Sequence, residues 1–527
     1  MTQLEIPKTK LGIPNNPEPE DEIEKSLWFR VQQFAHNKLP ALIRSPYGLR
    51  FVELNQKRDP ENNKETCPQS EEEIQLHSLW AAEFYTPTHA EDLASAFINL
   101  GWNKEEGLDG VNNPAGWVES VRAHNSTGSW TNLGFLRDSR TSSWRFSQSQ
   151  VFKLPENIEY ASAHMYSHSS SLTCIVVGFV FEKEYRCVYE QVLRRNYKTY
   201  GKPKNNGAAI MSPEFQKRDR IAEVREEIRQ EAKNWFASNI PGAYCDIDKS
   251  NKHFPTCEFI TLKNTEPFPR EREEENKKRW LNLLGMGDDW NTWKSEKVNG
   301  LKFTYPVTRG RGGNFHAAVS ASHKNLEKID LEFYGGHNSS GYVNFLDEKV
   351  SELVSRWACL SLIRVHEERL FKIRDSKNYK SSNRKTLKFL KKIQDLVSES
   401  LDVSSVTQEL IEFSKNKLLF HYDRDTFWSS QTYGKNEPIS LTEALSDQIE
   451  SRSKNLLELD HSLKELIIQQ GNLLSASENI KLQRWMRWLT VIITILTSVM
   501  VYDALKGKDI SLLQLWSDIP GWISTFY

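Results

Sequence analysis

Residues 488–502, Trp-Leu-Thr-Val-Ile-Ile-Thr-Ile-Leu-Thr-Ser-Val-Met-Val-Tyr, carry no charge, and this run constrains the chain more than any other feature. Counted from Trp485 to Leu505 it is about 21 residues, roughly 31 Å of helix, which matches the hydrocarbon thickness of a bilayer. Trp485 and Trp488 stand at one end and Tyr502 at the other, where amphipathic rings favour the lipid–water boundary. Arg484 and Arg487 precede the run and Lys506 and Lys508 follow it, with stems long enough to carry their charges to headgroups. A buried core helix is the competing reading, because the strictly uncharged part is only about 15 residues. Tryptophans beside basic residues favour a transmembrane helix over 485–505, with the lipid bilayer as the first partner.

The first 22 residues contain no apolar signal segment and are acidic, so the sequence places the bulk of the chain in the cytosol. With 38% hydrophobic residues and a net charge of -1, that bulk is globular and is not a dedicated polyanion binder. The six cysteines are scattered without a Cys-x-x-Cys pair, as expected of reduced core thiols. The expected fold class is α+β, a mixed α/β cytosolic domain followed by helices. Residues 1–25 read as a flexible tail, 26–345 as the α/β domain and 346–439 as a helical region. Residues 440–484 read as a stalk or coiled-coil helix, and 506–527 as a short amphipathic tail broken by Asp518 and Pro520.

Within the α/β domain, 158–166 and 172–181 predict a hairpin whose second strand, apolar on both faces, is central. Ser212-Pro213 opens a helix to about Ser238, with Ile221, Val224, Ile228, Ala232 and Trp235 on one stripe. A shorter helix over 89–100 is expected to take Thr88 as its N-cap and Gly101 as its stop.

The stalk begins near Ser440, with Glu443 three residues on as a capping box. Leu445, Ile449, Leu456, Leu459, Leu463, Leu466, Leu473 and Ile480 follow steps of four and three, a coiled-coil pattern interrupted by Arg452, Gln470 and Ser477. An intramolecular helical hairpin against 346–375 fits the same pattern. The stalk's phase continues into the bilayer at Thr494 and Ser498, and Thr490 lies four residues before Thr494. Small hydroxyl residues on one stripe let membrane helices approach, although each hydroxyl also has its own helix carbonyl to bond. Leu459, Leu463, Leu466, Leu473, Thr490, Thr494 and Ser498 therefore form the expected contact surface of a homo-oligomer.

A long cytosolic helix feeding directly into a membrane helix resembles the magnesium channels of the CorA family over about the last 90 residues. The resemblance implies cation transport. That family's Gly-Met-Asn signature is replaced here by Tyr502-Asp503-Ala504-Leu505, and no second long apolar span follows.

Two basic features point to anions. Arg309 and Arg311, in Arg-Gly-Arg-Gly-Gly-Asn, suit either a backbone nest or a tight turn. The stretch 369–392, containing Lys385, Lys388, Lys391 and Lys392 with Asp375 as its one acid, suits an anionic ligand or nucleic acid, or else a solvated surface. No short catalytic motif, metal-ligand spacing or cofactor fingerprint is present, so no catalytic residue, metal or cofactor is assigned. The function expected is a membrane-anchored sensor or effector that oligomerises and perturbs or gates the membrane. The alternative is a membrane-tethered enzyme acting on a phosphorylated or nucleic-acid substrate, and the third is a CorA-like transporter.

Overall fold

Strand β5 (Thr173–Phe181) is rich in β-branched and aromatic residues, and all nine of its residues are buried. A strand apolar on both faces must sit inside a sheet covered on both sides, and this one does. In the computed structural model, β5 lies between β1 (Ile74–Tyr85) and β4 (Ile158–Ser167), pairing antiparallel with both. The structure describes residues 55–102, 128–138, 150–204, 207–247, 253–268, 278–287, 292–304, 315–375, 403–415, 428–430 and 439–506, and a few single positions besides.

The chain divides into two compact units, Met1–Phe371 with Leu401–Glu458, and Lys372–Ser400 with Leu459–Tyr527. The first is built on a ten-stranded sheet. Beyond the strands above it contains β2 (Ser129–Arg137), β3 (Gln150–Val151), β8 (Thr256–Leu262), β9 (Thr292–Ser295), β10 (Lys302–Thr304), β11 (His316–Ser322) and β12 (Trp428–Ser430). Their order is β12-β9-β10-β11-β8-β1-β5-β4-β2-β3. Only the β11–β8 and β2–β3 pairs are parallel. A separate hairpin joins β6 (Tyr200–Lys204) to β7 (Gly207–Met211). The expected hairpin of 158–166 and 172–181 is present as β4 and β5. Strand β12 is a departure, because it brings residues of the expected helical region 346–439 to the sheet's edge beside β9.

Helices cover both faces. Short α1 (Asp59–Glu65), α2 (Ala90–Asn99) and α3 (Val188–Arg194) precede the long α4 (Pro213–Asn239), in which Ser212 accepts from the Phe215 amide as N-cap. The predicted stripe of Ile221, Val224, Ile228, Ala232 and Trp235 is buried. Thr88 does not cap α2; it lies in the 3₁₀ turn Pro87–His89, and His89 takes the N-cap position without a side-chain bond. After α5 (Ala243–Ile247), α6 (Arg279–Leu284) and α7 (His323–Leu326) comes α8 (Ser339–Arg374), 36 residues long. On β5, Phe179 meets Trp235 of α4, whereas Gly178 faces Trp80 and Ser162, which bond to α8. Adjacent strand residues point to opposite faces, so α4 and α8 sandwich the sheet.

A helix over 403–415 follows, and then α9 (Leu441–Lys506) runs 66 residues without a break. Ser440 accepts from the Glu443 amide at 3.4 Å, as the predicted N-cap should. At 1.5 Å per residue α9 is roughly 99 Å long. In the second unit the described part of α9 begins at Leu459.

Candidate functional site: an apolar helix and two buried joints

The sequence of α9 changes character along its length. Its first turns bury Leu441, Leu445, Ile449, Ser453 and Leu456, and the buried row continues through Asp460, Leu463 and Ile467. Beyond that point the side chains turn outward. Residues Asn479–Ala504 form one helix long and apolar enough to cross a membrane, with mean hydropathy 1.5 and none of it buried. Trp485 is 73% exposed, Trp488 69% and Ile493 53%. Large apolar side chains exposed together in this way mark a surface that contacts a partner or a membrane. Thr490, Thr494, Thr497 and Ser498 each donate to the carbonyl four residues back at 2.8 Å, which satisfies their hydroxyls without a neighbour.

Two buried polar joints lie within the first unit. The first is Asp347 of α8. Its Oδ1 accepts from Trp80 Nε1 at 2.7 Å and from Ser162 Oγ at 2.9 Å, and its Oδ2 lies 2.9 Å from His164 Nε2. Burial pushes the Asp347 carboxyl up, but the charge and hydrogen bond of His164 and the bonds from Trp80 and Ser162 outweigh it, so its pKa is lowered. Gly178 makes room for this joint, because a Cβ there would stand 2.7 Å from Trp80 Nε1 and 2.8 Å from Ser162 Oγ. His164 is thereby a partner of α8. Among the described residues no three His, Cys, Asp or Glu side chains form a metal-binding group.

The second joint is Arg356, nine residues further along α8 and fully buried. Its guanidinium reaches Ser446 Oγ of α9 at 3.1 Å and Glu352 Oε1 at 3.3 Å, and stacks over Phe413 at 5.0 Å and Phe420 at 5.8 Å. Desolvated cation–π contacts of this kind are worth about 2 kcal/mol. His168 packs edge-on against Phe413 at 4.5 Å, and burial with the Arg356 charge pushes its pKa down to about 3. The turn after β4 is tied to the 403–415 helix by Ser169 and Ser171, which both donate to Glu409. These links join the sheet to α8 and to the 403–415 helix, and α8 to that helix and to the first turns of α9.

Other buried carboxylates hold elements together. Glu258 of β8 lies 2.7 Å from Arg225 of α4, accepts from Tyr189 Oη at 2.6 Å and has His316 of β11 at 3.4 Å. Glu83 of β1 accepts the backbone amides of Phe84, Tyr244 and Cys245, yet burial pushes its pKa up to about 7. These carboxylates are ringed by donors from the fold itself, an arrangement that fixes helices to strands and presents no open acid or base to a substrate.

Leu459 is half-buried and Leu463 buried, while Leu466 and Leu473 are exposed at 52% and 71%. Thr490, Thr494 and Ser498 lie on the exposed apolar helix. Arg309, Arg311, Lys385, Lys388, Lys391 and Lys392 lie outside the described residues. The roles of Asp347, Arg356 and Glu258 are absent from the sequence reading. Their one visible signal is a charged residue on an otherwise apolar stripe or strand.

No protein-family model matches the chain, and no curated protein does. Among solved structures, the CorA magnesium transporter from Methanocaldococcus jannaschii is similar at 12% identity, covering 52% of this chain and 86% of that one, with a TM-score of 0.20. An overlap of that quality carries no argument about the fold or activity of this chain.

Proposed function

We propose that this chain is a membrane-anchored protein whose sheet-built body works as a sensor or effector, passing its state to the bilayer along α9. The observation that carries the reading is the continuity of α9. One helix begins at a capped end with its face buried in the body and ends in 26 residues, none of them buried, of bilayer-spanning length and composition. The Asp347 and Arg356 joints support a mechanical relay, since a shift of the sheet reaches α8 through one and α9 through the other.

The anchor is tested on full-length protein in phosphatidylcholine vesicles. The chain is expected to stay with the vesicles through alkaline carbonate. Placing arginine at Ile492 and Leu496 is expected to release it, each charge costing about 2.5–3.5 kcal/mol at mid-span. A chain stripped by carbonate, or one indifferent to both arginines, overturns the reading.

The effector is proposed to act as a parallel homo-oligomer. Leu466, Leu473 and Ile480 recur at seven-residue steps and are 52%, 71% and 51% exposed, an apolar row that this chain leaves uncovered. Two further steps of seven from Ile480 reach Thr494 in the span. Thr494→Cys is expected to crosslink between chains, and Ile493→Cys, about 100° around the helix, much less. Equal crosslinking at both positions, or none, contradicts assembly through this row.

A further inference from the structure

The two ends of the apolar helix differ in charge. Between Glu478 and Asp503 the chain holds Lys481, Arg484 and Arg487 and no acid, all three near the N-terminal end. At the other end Asp503 and Asp509 balance Lys506 and Lys508. At 3.6 residues per turn, Lys481, Arg484, Trp485 and Trp488 share about 100° of the helix surface, with Arg487 roughly 60° beyond Arg484. The seven-residue step from Lys481 to Trp488 spans about 10 Å of axis, comparable to the headgroup layer on one side of a bilayer. Arg484, Arg487 and both tryptophans are exposed.

We infer that this flank is a collar for anionic phospholipid headgroups, which holds the N-terminal end of the span in the leaflet that carries them. The inference rests on the membrane anchor proposed above. A guanidinium pairs with a phosphate through parallel N–H···O bonds, and an indole beside it sits at the depth of the glycerol. Zwitterionic headgroups carry the same phosphate with a compensating cation, whereas phosphatidylglycerol does not. Charge complementarity therefore selects the anionic lipid, by roughly fivefold per basic residue at the surface.

The test uses full-length protein reconstituted in vesicles of equal phosphatidylglycerol and phosphatidylcholine. The protein is extracted in mild detergent, and the lipid still bound is quantified by mass spectrometry. At least about fivefold enrichment of phosphatidylglycerol is expected. Arg484→Gln with Arg487→Gln should bring the ratio to within about twofold of the bulk, and the paired lysine substitutions should retain most of the enrichment. No enrichment in the native chain, or enrichment unchanged in the glutamine pair, overturns the inference. Carbonate-resistant retention in pure phosphatidylcholine keeps the two ideas apart. A chain lost there overturns the anchor itself, whereas one retained there without phosphatidylglycerol enrichment overturns only the collar.

Discussion

Replacing Asp347 with alanine is expected to lower the unfolding free energy of the sheet body by about 3–5 kcal/mol, read as a shift in the urea midpoint by circular dichroism. The substitution leaves Trp80 Nε1, Ser162 Oγ and His164 buried without the acceptor that satisfies them. Asp347→Asn keeps an acceptor for Trp80 and Ser162 and should cost roughly half as much. Gly178→Ala drives a methyl into the same joint and should cost about 1–3 kcal/mol alone. On the Asp347→Ala background it should cost much less, because Trp80 is then free to move. Additive effects of the two changes would show that Gly178 and Asp347 do not share a joint.

Arg225→Leu should cost a similar 3–5 kcal/mol at neutral pH and also remove the loss of stability that Glu258 causes in acid. Burial alone would raise the Glu258 carboxyl, but the charges of Arg225 and His316 and the bond from Tyr189 hold it down to about 2. The unfolded chain therefore takes up a proton near 4.5 that the folded chain refuses until about 2. Stability from this group is present above pH 4.5 and is lost as pH falls towards 2, a drop of about 3 kcal/mol. Without Arg225 the carboxyl should titrate above 4.5 in the folded state, so the loss of stability below pH 4.5 that comes from this group disappears. Glu83, pushed up to about 7, makes stability fall as pH rises between 4.5 and 7, so the comparison is made below 4.5. A variant whose midpoint falls with acid as steeply as the native chain's contradicts the assignment.

The parts legible in the sequence share one property: their signal lies within a single element. The long apolar helix, the β4–β5 hairpin, the stripe of α4 and the Ser440 cap are each specified by residues a few positions apart. The joints are not. Asp347 meets partners 183, 185 and 267 residues away, and Arg356 meets Ser446 across 90. No periodicity encodes such contacts. Strand β12 is three residues long, too short to show alternation. The stalk shows a subtler effect. Its buried row passes through Ser453 and Asp460, which look polar, and not through Arg452 and Leu459 beside them. A pattern that follows leucines therefore shifts by one position there, onto Leu466 and Leu473, which the chain leaves exposed.

The central claim is that Asn479–Ala504 crosses a bilayer, and the depth of its side chains in lipid vesicles tests this most directly. Single cysteines at Arg487, Val491, Ile495, Val499 and Asp503, each carrying a nitroxide, report collision with oxygen, which concentrates at the bilayer centre, and with a water-soluble nickel complex, which is excluded from it. Depth is expected to rise from Arg487 to a maximum near Ile495 and to fall again towards Asp503. A flat profile in which every position meets the nickel complex as freely as in water would contradict it.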